Sequence, residues 1–297
     1  MQVGIIGLGK IGQRALANLA SKKIDAIGFD KNPDLRKELG KKINIASSIK
    51  EFVEYLKPER KIVLLVPAGE AVEKAILEIL PYLKKGDIIA DAGNSHYLDS
   101  IRRAKSLGEK GIFFLDAGTS GGLRGAENGL CFTVGGEKKA FEKFKPVFEA
   151  LASKNGLLFA GGNGSGHFIK MAHNAIEYGI LQSYAEGFEL LSKSEFGFNL
   201  CEIAGTWNNG AIIRSYILEL AEKALKEENF DNLPGIVEGG ETGKWAIEEA
   251  WKKEIPFSSI TAAFESRLRS RQENTFSNKF IAAIRNKFGG HKIPKSR

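Results

Sequence analysis

Lys170, His173, Asn174 and Glu177 fall at i, i+3, i+4 and i+7 within the segment HFIKMAHNAIEYG, a spacing that sets four polar, proton-exchanging groups on one face of a helix. The residues between them, Ile169, Met171, Ala172, Ala175 and Ile176, are those a buried helix carries, so the stripe is expected to face a cleft or protein. Burial lowers a lysine's pKa and raises a glutamate's, the directions that let each exchange protons near neutral pH. Lys170 and Glu177 are therefore a candidate acid–base pair. The competing interpretation is a structural ion pair on a half-exposed helix, since structural networks perturb pKa values too.

Such a helix needs elements to hold it. The first half of the chain alternates short apolar runs at 2–6, 25–29, 61–66, 87–91 and 112–116 with amphipathic stretches, the pattern of a doubly wound parallel sheet. Runs at 130–134 and 157–160 extend the sheet across a helix at 137–152. After Gly161-Gly162-Asn163-Gly164 only helical periodicity remains, at 165 to about 194, 200–207, 213–227, 242–252, 258–269 and 275–287. The expected fold class is thus an α/β N-terminal domain at 1–162 followed by an all-α C-terminal domain at 163–297, with a polar tail over 292–297. No internal repeat or low-complexity segment interrupts it.

The segment VGIIGLGKIG places Gly7, Gly9 and Gly12 directly after the first strand and at the start of a helix, with Leu8, Lys10 and Ile11 in the same turn. In that context the spacing is the Rossmann-type dinucleotide fingerprint: one glycine for the tight turn, one for approach of a pyrophosphate, one for close helix packing. Asp30 ends the second strand, where a carboxylate accepts hydrogen bonds from the adenosine ribose and repels a 2′-phosphate. NAD is predicted over NADP, with Lys31 next door partly offsetting the repulsion. Val66, Pro67 and Ala68, counted as following the fourth strand, belong to the same ligand-binding edge and are expected to contact the cofactor. So is Asn94 in DAGNSHY, counted after the fifth strand; this loop and DAGTSGG, counted after the sixth, with Ser120, Gly121 and Gly122, present small polar groups and backbone N–H donors on the same edge.

A length of 297 residues accommodates two domains. A content of 43% hydrophobic and 27% charged residues fits a soluble globular protein. No apolar run approaches a membrane span and no basic leader opens the chain, so a cytoplasmic address is the default expectation and membrane partners are not expected. Cys131 and Cys201 lack metal-type spacing and the four histidines are scattered, which predicts reduced thiols and no metal. The net charge of +7 gathers toward the C-terminus at Arg267, Arg269, Arg271, Lys279, Arg285, Lys287, Lys292, Lys295 and Arg297, without an aromatic-interleaved groove. That favours a small anionic ligand over nucleic acid.

Taken together, GLGKIG, the two glycine-rich loops and GSGHFIKMAHNAIEYG resemble the β-hydroxyacid dehydrogenases, and within them the decarboxylating 6-phosphogluconate dehydrogenases, from Val3 to about Lys292. The glycine turn, the SGG loop and the lysine are common to 3-hydroxyisobutyrate-type enzymes. His173, Glu177 and Tyr178 around that lysine, Lys244 in GGETGKW, Arg267 in ITAAFESR, and Arg285 and His291 in RNKFGGH are similar to the phosphogluconate branch. The resemblance implies that Asn94, Ser120, Gly121, Gly122, His173 and Asn174 hold the sugar acid while Tyr178, Lys244, Arg267, Arg285 and His291 hold its phosphate. It implies Lys170 as the base for the C3 hydroxyl and Glu177, held protonated, as the acid that completes ribulose 5-phosphate.

It further implies that the tail completes a neighbouring subunit's site, so that the assembly is at least a dimer, with a tetramer open. Longer members duplicate the helical domain, whereas this chain keeps one helical unit and resembles a short form. Pro67 and the pair Asp30 and Lys31 depart from the NADP-using pattern. Two alternatives stay open: a β-hydroxyacid dehydrogenase of the 3-hydroxyisobutyrate type, and a non-catalytic NAD-binding protein.

Overall fold

A computed structural model describes residues 1–293, so Lys295, Arg297 and the end of the expected tail lie outside the described residues. Contacts divide the chain into a unit ending at Met171 and a second beginning at Ala172. The division falls within one helix.

In the first unit the elements run β1 (Gln2–Ile6), α1 (Lys10–Ser21), β2 (Asp25–Phe29), α2 (Pro33–Leu39), α3 (Ile49–Tyr55), β3 (Lys61–Leu64), α4 (Glu70–Ile79), β4 (Ile88–Asp91) and α5 (Tyr97–Gly108). There follow β5 (Phe113–Ser120), α6 (Gly122–Asn128), β6 (Leu130–Gly135), α7 (Lys138–Leu151) and β7 (Ala152–Gly161). The strands are near-continuous apolar runs, as in Val3, Ile5 and Ile6 of β1 and Ile62 to Leu64 of β3, because helices bury both faces of the sheet. The order β2-β1-β3-β4-β5-β6-β7 places a topological switch between β1 and β3, where the connections leave in opposite directions and open a crevice at the carboxyl edge.

The sequence predicts a parallel sheet, but β6 runs antiparallel to β5, with Asp116 opposite Gly135 and Ser120 opposite Cys131. Only residues 121–129 join these strands, and a parallel return needs a crossover of roughly a dozen residues or more. β5 accordingly continues to Ser120, beyond the expected end at 116. β7 starts at Ala152 rather than 157, with an irregular register in which Leu130 faces Ala152 and Phe132 faces Leu157. The loops counted after the fourth, fifth and sixth strands follow β3, β4 and β5.

The long α8 (Ser165–Ser192) runs from the first unit into the second. The second unit adds α9 (Leu200–Asn208), α10 (Tyr216–Leu225), α11 (Glu241–Lys252), α12 (Ser258–Arg269) and α13 (Phe276–Gly289), and no strand follows Gly161 among the described residues. α10 begins three residues later than periodicity predicts because the Ser215 hydroxyl accepts the Leu218 N–H at 3.0 Å and caps the helix there. Phe188 of α8 stacks on Phe280 of α13 at 5.1 Å, and Leu218, Ala221 and Ala224 of α10 close the core around them. The apolar residues of α8 do not all go inward: Met171 and Ala175 are buried, but Ile169, Ile176 and Ile180 are exposed on the single chain.

Candidate active site

The three glycines of the first loop do three different jobs. Gly7 has φ +95°, and a Cβ there would sit 2.5 Å from the Leu65 carbonyl oxygen. A Cβ on Gly12 would lie 1.9 Å from the Gly7 carbonyl oxygen, so α1 packs against its own turn only with glycine there. Gly9 has nothing within 4 Å of that position, and it precedes α1 without a side-chain cap. The uncapped N–H groups of α1 beside that open space fit a pyrophosphate. Leu8, grouped with the cofactor residues by its place in the turn, instead buries its side chain in the core and donates its N–H to Asp30 Oδ2 at 2.8 Å.

Asp30 accepts a second backbone bond, from Asn32 N–H to Oδ1 at 2.9 Å. Each carboxylate oxygen keeps a lone pair for a ribose hydroxyl. Lys31 and Lys10 are exposed beside it. Arg36 was not singled out from the sequence, yet its guanidinium donates to the Asp30 carbonyl at 2.6 Å and lies 5.1 Å from the Phe29 ring centroid.

The loops after β3 and β4 are bound to each other. A Cβ on Gly93 would meet the Val66 carbonyl oxygen at 2.4 Å; Val66 is half-buried, and Pro67 and Ala68 are exposed. Beneath them Arg103, 2% exposed, donates to Asp91 Oδ2 at 3.2 Å, Glu73 Oε1 at 3.0 Å and the Gly69 carbonyl at 3.4 Å. The Asp91 carboxylate also accepts from Gly93 N–H at 2.9 Å and Ser95 Oγ–H at 2.7 Å. Asn94, with φ +56°, donates Nδ2–H to the Thr119 carbonyl at 3.1 Å and accepts the Thr119 N–H at 2.9 Å. Its amide thereby ties this loop to the end of β5, where Ser120, Gly121 (φ +119°) and Gly122 (φ +60°) turn into α6. Nothing in the sequence signalled Arg103, which lies mid-helix with no motif around it.

Lys170 is 8% exposed, and its Cβ would be 2.6 Å from a Cβ on Gly118 of β5. Further along α8, His173 is exposed with Nδ1 3.1 Å from Asn174 Oδ1, Glu177 is half-buried and Tyr178 is buried.

Within the second unit Tyr178 is the floor of a cationic cluster. The Arg267 guanidinium lies 3.5 Å from its ring centroid and is 4% exposed. Among the described residues Arg267 Nη1 is buried with no hydrogen-bond partner. Burial, reinforced by the like charge of Arg285, pushes the Arg267 pKa down to about 10 despite Tyr178 and Glu177. Arg285 is lowered as well, again chiefly by burial, with Tyr178, Glu177, Glu238 and Glu241 opposing. Two guanidinium groups that repel each other, Arg267 buried with an unused N–H face and Arg285 half-buried, favour an anion bound between them. The Tyr178 hydroxyl meets Thr242 Oγ1 at 3.2 Å, and a Cβ on Gly243 would strike the Tyr178 ring at 2.4 Å, which explains why α11 opens with that glycine. Thr242 lies in the GGETGKW motif two residues before Lys244, and the motif alone does not distinguish the two.

Residues 2–161 match the NAD binding domain of 6-phosphogluconate dehydrogenase, and residues 166–292 match the 6-phosphogluconate dehydrogenase C-terminal domain. The chain belongs to the 6-phosphogluconate dehydrogenase family. The Bacillus subtilis (strain 168) protein YqeC is 42% identical over 297 residues, 99% of this chain and 100% of its own. The Haloferax volcanii NAD(+)-dependent, decarboxylating 6-phosphogluconate dehydrogenase is 38% identical over 299 residues, 99% of each chain. Plasmodium falciparum 6-phosphogluconate dehydrogenase, solved with NADP+ and with 6-phosphogluconate, superposes with a TM-score of 0.83 at 32% identity, covering 91% of this chain and 62% of that longer one.

Not every residue suggested by the resemblance to 6-phosphogluconate dehydrogenases joins the cluster. Lys244 projects to solvent from α11 and pairs with Glu248 at 3.7 Å. His291 folds edge-on against Phe288 at 5.8 Å, while its carbonyl accepts from Asn286 Nδ2 at 2.9 Å. Arg285, expected to serve a neighbouring subunit, stands with Arg267 and Tyr178 of its own chain. Phe280, Ile281 and Ile284 bury α13 in the unit's core and carry Arg285 inward. Among the described residues no group of three or more metal-type ligands occurs, and no helix is long and apolar enough to cross a membrane.

Proposed function

We propose that this chain oxidises and decarboxylates 6-phospho-D-gluconate to ribulose 5-phosphate and CO₂, reducing a nicotinamide dinucleotide. The observation that carries this is the buried, partner-poor Arg267 guanidinium over Tyr178, on the same continuous helix as the buried Lys170. An unphosphorylated hydroxy acid would leave the buried Arg267 Nη1 without a phosphate to bind. A silent binding protein would need neither Lys170 nor Glu177.

When bound, the dinucleotide supplies a hydride acceptor; the open space at Gly9, the α1 N-terminus and the Asp30 carboxylate are the groups that would hold it. Lys170, as neutral amine, takes the proton of the C3 hydroxyl while hydride leaves C3. The 3-keto acid then loses CO₂ by cleavage of the C1–C2 bond, and the lysinium just formed protonates the enolate oxygen. Glu177 gives a proton to the carbon that lost CO₂, which becomes C1 of ribulose 5-phosphate, and Lys170 recovers its proton from the enol hydroxyl. Asn94, Ser120 to Gly122, His173 and Asn174 orient the sugar acid, and Tyr178, Arg267 and Arg285 hold the phosphate, joined by Thr242.

NAD is the preferred cofactor in this account because Asp30 would oppose a 2′-phosphate, although Lys31 and Arg36 flank the position. A homodimer is the proposed assembly, in which a second copy covers apolar surface such as Ile176, Ile180 and Trp251. The test is an assay with 6-phosphogluconate and either dinucleotide. One CO₂ per reduced cofactor, with faster turnover on NAD, is expected. Reduction without CO₂, or none, contradicts the reaction, and faster turnover on NADP contradicts the cofactor assignment.

A further inference from the structure

The N-terminus of α8 lacks the cap its own sequence would provide. Gly164, which precedes the helix, has no side chain and a φ of +93°. Its role passes to Asp116, 48 positions earlier on β5: Oδ1 accepts the Gly164 N–H at 2.7 Å and Oδ2 accepts the His167 N–H at 2.9 Å. Those are bonds that an N-cap side chain and its partner make locally in other helices. Asp116 is fully buried. Burial pushes its carboxyl up, with nearby His167 and the two N–H donors opposing, so its hydrogen bonds to the helix are the compensation for placing a carboxylate there.

Around this carboxylate the first turn of α8 sits on β5 and β6 at backbone contact. A Cβ on Gly166 would lie 2.3 Å from the Asp116 carbonyl oxygen and 2.4 Å from that of Thr133. The Thr133 hydroxyl donates to the Gly166 carbonyl at 3.0 Å, and the His167 ring is held by Ser100 at 2.7 Å. Two residues beyond Asp116, Gly118 leaves room for the stem of Lys170, whose Cβ would be 2.6 Å from any Cβ added there. Side chains two apart on a strand share a face, so one face of β5 fixes both the start of α8 and the residue one turn along it.

We infer that Asp116 is a positioning residue: by capping α8 from β5, and with Gly118 as the seat for the lysine stem, it fixes where the Lys170 amine stands. The inference rests on the proposed role of Lys170 as the base. Displacing a reacting group by about 1 Å can cost roughly 10²-fold in rate.

The test compares Asp116→Asn, which keeps the shape but turns an NH₂ toward a donor, with Gly118→Ala, whose methyl would meet the Gly166 carbonyl oxygen at 2.5 Å, the Lys170 stem at 2.6 Å and Thr133 Oγ1 at 2.7 Å. Asp87→Asn is the control, since Asp87 is 1% exposed at the opposite edge of the sheet, where it binds Arg60. In both test variants kcat is expected to fall about 10²-fold, with KM for the dinucleotide and its binding stoichiometry unchanged. The deuterium isotope effect with substrate labelled at C3 is expected to rise as hydride transfer becomes limiting. Asp87→Asn is expected to lower thermal stability and leave kcat and the isotope effect alone.

A kcat loss that merely tracks lost binding stoichiometry, with an unchanged isotope effect, overturns the inference. So does wild-type kcat in both variants; if Asp116→Asn does not fold, Gly118→Ala decides. Lys170→Ala run alongside separates the two claims: its retained activity overturns the base assignment, whereas an inactive Lys170→Ala beside a fully active Asp116→Asn overturns the positioning role alone.

Discussion

The carboxyl edge of the sheet and the arginine cluster of the helical unit are built on opposite principles. At the sheet edge nearly every polar group described has a protein partner: Asp30 binds Leu8 and Asn32, Asn94 binds Thr119, and Asp91 binds Arg103, Ser95 and Gly93. Backbone position is what that region supplies, through loops stacked so closely that Gly7, Gly12 and Gly93 admit no side chain. In the helical unit Arg267 is buried with Nη1 unpartnered among the described residues, and Arg267 and the half-buried Arg285 are both lowered in pKa by burial. One region is finished before ligand arrives, and the other is completed by it.

That contrast is sharpest at Arg267. Its pKa near 10, well below the ordinary arginine range, corresponds to a penalty on the order of 3 kcal/mol for keeping the charge buried. Arg267→Met is expected to raise KM for 6-phosphogluconate by about 10²-fold, the scale of losing charge-assisted contacts. The ligand-free variant is expected to melt no lower than wild type. An unchanged KM with a lowered melting temperature would make the arginine structural and erase the contrast.

At the sheet edge the expected effect is smaller. Asp30→Ser is expected to shift the NAD-to-NADP ratio of kcat/KM toward NADP by about tenfold, because Lys31 and Arg36 are already in place and only the opposing carboxylate is removed. A ratio that does not move would mean that Asp30 serves the turn through Leu8 and Asn32 and does not choose the cofactor.

The smallest effect is on stability. Saturating inorganic phosphate is expected to raise the wild-type melting temperature by roughly 5 °C and to leave Arg267→Met unmoved. Because the folded Arg267 guanidinium loses its proton near pH 10 and the unfolded one only higher, its penalty is in full force at neutral pH. The penalty is relieved as pH rises past 10, so the stability difference between wild type and Arg267→Met narrows there. Equal phosphate shifts in both proteins would place the anion elsewhere.

Local chemistry made the glycine turn, Asp30, the strand-to-helix change after Gly161 and the stripe on α8 legible in the sequence. What it hid was settled by distance along the chain. The reversal of β6 follows from the short 121–129 link, and the late start of α10 from a single Ser215 cap. The polar, glycine-rich loop around Asn94 was legible, but the Thr119 partner that fixes its amide lies 25 positions away. Lys244 and Thr242 are close neighbours in one motif, and only the packing of Gly243 on Tyr178 shows which of them faces the ring. The helix at 275–287 was legible, but that Phe280 and Ile284 bury it in the core and bring Arg285 beside Arg267 was not. The exposure of Ile169 and Ile176 was equally hidden, since periodicity reports that a face is apolar and not what covers it.

The central claim is that the Lys170 amine is the base for the oxidation. Lys170→Ala, assayed with 6-phosphogluconate and NAD while dinucleotide binding is followed by calorimetry, tests it most directly. The account predicts that turnover falls by at least about 10²-fold to 10⁴-fold while the dinucleotide binds as in wild type; turnover within a few-fold of wild type would contradict it.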